Sequence, residues 1–177
     1  MRRFILSIAS VIVLSGCSGI ELAEQNPAGA DPSGVWILDF AESDQVPDLR
    51  NHRAKERRRL PDLAELRRRP AGADLPFVVH DFQVLSADKI TIELNHDSMG
   101  VQYEPGVYRD VSWGKRERGL WSVYAGWDAG DLRILSETND IDVDERFVLR
   151  GDKLTVVVGI IADNDEFTYR RVFNRAK

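Results

Sequence analysis

The sequence predicts an all-β domain: an antiparallel meander that closes into a barrel. Three observations predict it. From Gly34 to the end of the chain, apolar residues alternate with polar ones at a period of two. Turn-forming residues punctuate that pattern every 8–12 residues or so, which gives about nine or ten strands. No helical crossover separates the later strands, so consecutive strands are antiparallel neighbours. An open meander leaves two unpaired edges, and closure removes them.

Each element has its own justification. Gly34 to Phe40 places Trp36, Leu38 and Phe40 on one face. The stretch "DFQVLSADKITIEL" has the form of a hairpin, with Ser86-Ala87-Asp88 as its turn and Ile90, Ile92 and Leu94 alternating after it. Asn95 to Gly100 reads as a turn. Val101–Glu104 and Val107–Ser112 read as short strands around Pro105-Gly106. In Gly119 to Trp127, Trp121, Val123, Ala125 and Trp127 oppose Leu120, Ser122 and Tyr124. "DAGD" turns the chain into Leu132–Thr138. Ile141–Arg150 and Leu154–Ala162 form the clearest hairpin, around Gly151-Asp152-Lys153. "DNDE" leads to a last strand, Phe167–Asn174. The segment "LTVVVGII" is apolar on both faces, which suits core packing or an apolar binding surface.

The first residues are a leader. Arg2 and Arg3 precede an apolar run of eleven residues, Phe4 to Leu14, broken only by Ser7 and Ser10. Small residues, Ser15 and Gly16, follow. This is the layout of a secretory signal, and it is shorter than the roughly 20 apolar residues of a membrane span. The single cysteine of the chain, Cys17, comes next. Leu14-Ser15-Gly16-Cys17 resembles the lipobox of bacterial lipoproteins. The resemblance implies a signal peptide over 1–16, lipidation of Cys17, and anchoring in a membrane through that lipid. Ser18 follows the cysteine in place of Asp, which in Gram-negative lipoproteins implies the outer membrane, here facing the periplasm. Residues 17–33 carry Pro27, Gly29 and Pro32 and read as the lipidated cysteine and a flexible tether, with residues 34–177 as the domain; the apolar Ile20 and Leu22 leave a segment packed against the domain as the alternative. With no second cysteine, no internal disulfide forms, and stability rests on packing.

Gly34-Val35-Trp36 resembles the G-x-W of the first strand of lipocalins. In that family the tryptophan closes one end of the barrel beneath an arginine from the last strand. Arg170, Arg171 and Arg175 all stand where such an arginine would lie. A longer match, Gly34-x-Trp36-x-Leu38-Asp39 with Ser43 and Pro47, resembles the opening of small secreted bacterial β domains with no assigned function. Both resemblances imply a lipocalin-like barrel.

One region departs from the β pattern. Leu49 to Pro70 (residues 49–70) reads as a basic helical insert after the first strand. Between Arg50 and Arg69 nine Arg or Lys and three acids give +6, in a chain whose formal charge is −5 overall. Pro61 breaks the helix or opens a second one, and Leu60, Leu63 and Leu66 share a face. Arg53, Arg57, Arg58, Arg59, Arg67, Arg68 and Arg69 are the candidate contacts for an anionic envelope component. The same residues also suit a solvated helix covering one end of the barrel. A leader that directs export excludes nucleic acid as a natural partner.

Catalytic and metal-binding patterns are scarce. His52, His80 and His96 are scattered, and neighbours such as His96-Asp97-Ser98 cannot adopt triad geometry. Asp140, Asp142 and Asp144 fall on one strand face, opposite Ile141, Val143 and Glu145. No metal, no cofactor and no enzymatic activity are expected. A carboxylate such as Glu93 or Glu145 buried in the barrel would reopen the question of an enzyme, since perturbed carboxylates mark sites. The aromatics Trp36, Trp121, Tyr124 and Trp127 are the candidate lining of a ligand cavity. Two functions fit: a binding module for an apolar small molecule or lipid, or an envelope interaction protein with a packed barrel.

Overall fold

The described residues contain ten strands, most of them with apolar residues alternating at a period of two. The computed structural model describes residues 20–47, 75–162 and 165–177. Cys17 and the basic stretch 49–70 lie outside the described residues. The strands are β1 (Gly34–Leu38), β2 (Lys89–Leu94), β3 (Ser98–Glu104), β4 (Tyr108–Ser112), β5 (Gly114–Arg118) and β6 (Trp121–Asp128). They continue as β7 (Asp131–Glu137), β8 (Ile141–Arg150), β9 (Lys153–Ala162) and β10 (Asp165–Arg175). They form one antiparallel sheet in the order β4-β3-β2-β1-β10-β9-β8-β7-β6-β5. Pairing of β1 with β10 curls the meander into a barrel. One seam stays unpaired, between β4 and β5, which are joined in sequence by Trp113 alone. The domain is a nearly closed, lipocalin-like antiparallel barrel.

Alternate residues fill the interior. Ile90, Ile92, Met99, Val101, Ile134, Val156, Val158, Ile160 and Phe173 are all buried. At about 1.5–3 kcal/mol for each large apolar side chain removed from water, this set is the main source of stability.

Both ends are covered. At one end the indole of Trp36 lies under the guanidinium of Arg175, 4.2 Å from its ring centre. Trp36 Nε1 donates to the Pro32 carbonyl at 2.8 Å, and Arg175 Nη1 donates to that of Ser33 at 2.7 Å. Of the three candidate arginines, Arg175 is the one over the tryptophan. Gly34 is required there: its φ is +130°, and a Cβ would lie 2.7 Å from Arg175 Nη1.

The described part of the expected tether is packed on this same end. Leu22 is buried, and Ala23 exchanges two backbone hydrogen bonds of 2.9 Å with Trp127. Asn26 Oδ1 accepts from the indole N–H groups of Trp113 and Trp127 at 3.1 Å each. Asn26 Nδ2 donates to the Asn95 carbonyl at 2.8 Å. The segment thus prolongs the line of β5 beside β6, where β5 itself has ended. Leu22 supplies the apolar contact, and Trp127 the backbone partner, that a free tether would lack.

Two further corrections concern local structure. The first half of the expected hairpin, from Asp81, is not a strand: α1 (Leu75–Asp81) runs into it and a 3-10 turn (Gln83–Leu85) occupies it. Leu75, Val78, Phe82 and Leu85 recur at spacings of three and four, and all four are buried over the second end of the barrel. β5 was not expected as a strand, because Lys115, Arg116, Glu117 and Arg118 carry no apolar alternation. It borders the seam, where a charged edge discourages pairing with another chain.

Candidate functional site

The seam opens into the molecule. A half-open cleft of about 400 Å³ lies under the end of α1, between β4 on one side and β5–β6 on the other. Its walls include Phe82, Tyr103, Arg109, Arg118, Trp121, Val123 and Ser136, with Val107 and Leu120 at its mouth. Each wall residue has a structural reason to be there. Arg109 shares the inward face of β4 with Val111, and Ser136 shares that of β7 with Leu132 and Ile134. Trp121 begins β6 on the inward face that continues through Val123, Ala125 and Trp127.

Trp121 anchors the cover. Its ring stacks on Phe77 at 5.7 Å and 11°, and meets Phe82 edge-on at 4.9 Å and 87°. Its indole N–H donates to Asp81 Oδ2 at 2.9 Å. Phe77 and Asp81 belong to α1, so the tryptophan fixes the helix over the barrel end.

A buried ion pair adjoins the cleft. Arg109 Nη1 donates to both oxygens of Glu145, at 2.9 and 2.6 Å. Their side chains are 4% and 0% exposed. Glu145 lies on the inward face of β8, between Val143 and Phe147. Burial opposes the charge on Arg109, but attraction to Glu145 outweighs it and holds the guanidinium protonated more firmly than usual. The guanidinium also lies 5.4 Å from the centre of the Phe82 ring. Tyr103 stands beside it, its phenol pushed up to about 12 by burial. Nε of Arg109 and Oγ of Ser136 are buried without a hydrogen-bond partner among the described residues. Arg118, at the mouth, has its pKa lowered by burial and by repulsion from Arg109, against the pull of Glu145, Tyr103 and Asp81.

The aromatic residues singled out from sequence are not brought to one cavity. Trp121 lines the cleft. Trp127 lies at the other end of β6, edge-on to Trp113 at 6.1 Å, and Trp36 closes that same end under Arg175. Six residues of extended chain separate Trp121 from Trp127 by about 20 Å, so a shared face does not give a shared site. Tyr124 points outward, beneath the ammonium of Lys115 at 5.3 Å, and its hydroxyl accepts from the Leu22 N–H at 2.7 Å. Cys17 and the seven basic arginines lie outside the described residues.

Other polar candidates have plain roles. Asp144 faces outward and pairs with Arg133 at 2.7 Å, beside an Arg146–Asp128 contact of 2.6 Å. Glu93 is exposed. Among the described residues no group of three or more His, Cys, Asp or Glu is placed to hold a metal ion.

Sequence reasoning missed Arg109, Arg118 and Ser136. The available signal was parity: Arg109 alternates with Val111, and Ser136 with Ile134, so both fall on apolar faces. Glu145 was readable in that way, and it is the buried acid.

No family model matches the chain, and no curated protein matches it. Solved structures do. Human cRBP IV is 18% identical, with 83% of this chain and 99% of that one covered at a TM-score of 0.49. A secretary abundant heat soluble protein from Ramazzottius varieornatus is 11% identical, with 86% and 99% covered at 0.49. Fatty-acid-binding protein 1 of Echinococcus granulosus is 12% identical, with 82% and 97% covered at 0.49. This chain's own strand order and register, closed by β1 on β10 and open only between β4 and β5, make it a ten-stranded lipocalin-like barrel.

Proposed function

We propose that the protein is a binding module for a small, largely apolar molecule that enters at the β4–β5 seam. The observation that carries this reading is the cleft itself. About 400 Å³ stays open among inward-facing side chains where the sheet is unpaired between β4 and β5. That volume, an aromatic wall and a few convergent polar groups fit a small-molecule site. Val107 and Leu120 stand exposed at the mouth, giving an apolar ligand an entry. We read the site as a binding site without chemistry of its own. The leader and Cys17 support a lipid-anchored protein of the outer membrane, on its periplasmic face.

A second reading is favoured by one observation, the +6 stretch between Arg50 and Arg69 in an otherwise acidic chain. On that reading the protein holds an anionic envelope component through those arginines, and its attachment weakens steeply with salt.

Native mass spectrometry of the protein recovered from a Gram-negative periplasm separates the two. The binding-module reading predicts a stoichiometric small mass that organic solvent removes. A bare protein that also shows no affinity for amphiphilic probes would overturn it.

A further inference from the structure

We propose that the seam cleft selects amphiphiles with a singly charged carboxylate head, and that Arg118 is the residue that selects it. This rests on the cleft being a ligand site, and it names the class of ligand. The argument comes from an imbalance of donors and acceptors.

The acceptors in the cleft are already used. Both oxygens of Glu145 take Nη1 of Arg109. Asp81 Oδ2 accepts from the indole of Trp121 at 2.9 Å, and its Oδ1 stands 3.2 Å from Nδ1 of His80. Not all of the donors are used. Nε of Arg109 and Oγ of Ser136 have no partner among the described residues, on side chains almost wholly buried. Arg118 lines the same cleft and makes no hydrogen bond or ion pair with any described residue. Nε of Arg109 and Oγ of Ser136 are buried donors, costly without a partner, so a ligand that supplies acceptors beside them is favoured, and the exposed Arg118 adds charge at the mouth.

Charge narrows the class. Arg109 is balanced by Glu145. Arg118 is the cation left over: the two carboxylates that attract it, Glu145 and Asp81, are engaged with Arg109 and with Trp121 and His80. An anion beside Arg118 also relieves its repulsion with Arg109. A guanidinium offers a planar fork that matches the two oxygens of a carboxylate, and a hydroxyl such as that of Ser136 can add a third donor. The stacked aromatic wall is left for the hydrocarbon part.

The test titrates the full chain with dodecanoate, dodecanol and dodecyltrimethylammonium at one low salt concentration, read by tryptophan fluorescence, and repeats it with Arg118→Gln. Arg118 is on an exposed edge strand, so the variant is expected to fold, and its circular dichroism checks this. Dodecanoate is expected to bind about tenfold or more tighter than dodecanol, with the ammonium weakest. In Arg118→Gln the acid and the alcohol should come within about twofold of each other. Equal affinity of acid and alcohol in the native chain, or a preference that survives Arg118→Gln, overturns the head-group assignment and leaves the cleft as a site. Failure of all three to bind overturns both.

Discussion

Arg109 and Glu145 are both charged and both buried, and that needs a reason. A buried pair gains attraction but loses hydration, and apolar residues of similar size often do as well. Its loss by halves is another matter. Glu145→Leu strands the Arg109 charge and should cost about 3–5 kcal/mol, whereas Arg109→Met with Glu145→Leu together should cost far less. Urea unfolding midpoints measure this. A double variant as unstable as the worse single one would show that the pair is itself a stabilising contact. On the present account the pair is kept for what it holds in place, an arginine in the wall of the cleft. Glu145 was legible from its parity in β8. Its partner was not, because β4 and β8 are not neighbours in the sheet and nothing local encodes their approach across the barrel.

Elements were legible where burial on one face imposed a clean period. β6 to β9 follow their alternation closely. The misses have physical causes. α1 and the turn after it hide a helical spacing, Leu75, Val78, Phe82 and Leu85, inside a stretch that also resembles a strand. β5 has no apolar face because it borders the open seam. Leu22 to Asn26 looks like a tether because it packs through one leucine and a backbone pairing, which composition does not reveal. If that segment is part of the fold, Leu22→Ala should destabilise the domain by about 2–5 kcal/mol, as a core leucine does. Its Ala23 amide should also exchange slowly with deuterium. Fast exchange at Ala23 and no change in the unfolding midpoint would return the segment to a tether.

For the whole molecule, ten alternating strands without crossovers leave little but a barrel, and Gly34 and Trp36 at its start mark the end that Arg175 closes. What alternation cannot show is where closure fails. The seam falls between β4 and β5 because Trp113 alone joins them and β5 pairs only with β6. The cleft follows from that gap, so the central claim is positional: a ligand binds at the seam end and leaves the opposite end untouched. The four tryptophans report on this directly. Trp121 is in the cleft, and Trp36, Trp113 and Trp127 are at the far end. The most direct measurement is the indole N–H region of a proton–nitrogen correlation spectrum as dodecanoate is added. The account predicts that the Trp121 signal moves and the other three stay. Movement of the Trp113 and Trp127 signals with Trp121 unchanged would contradict it.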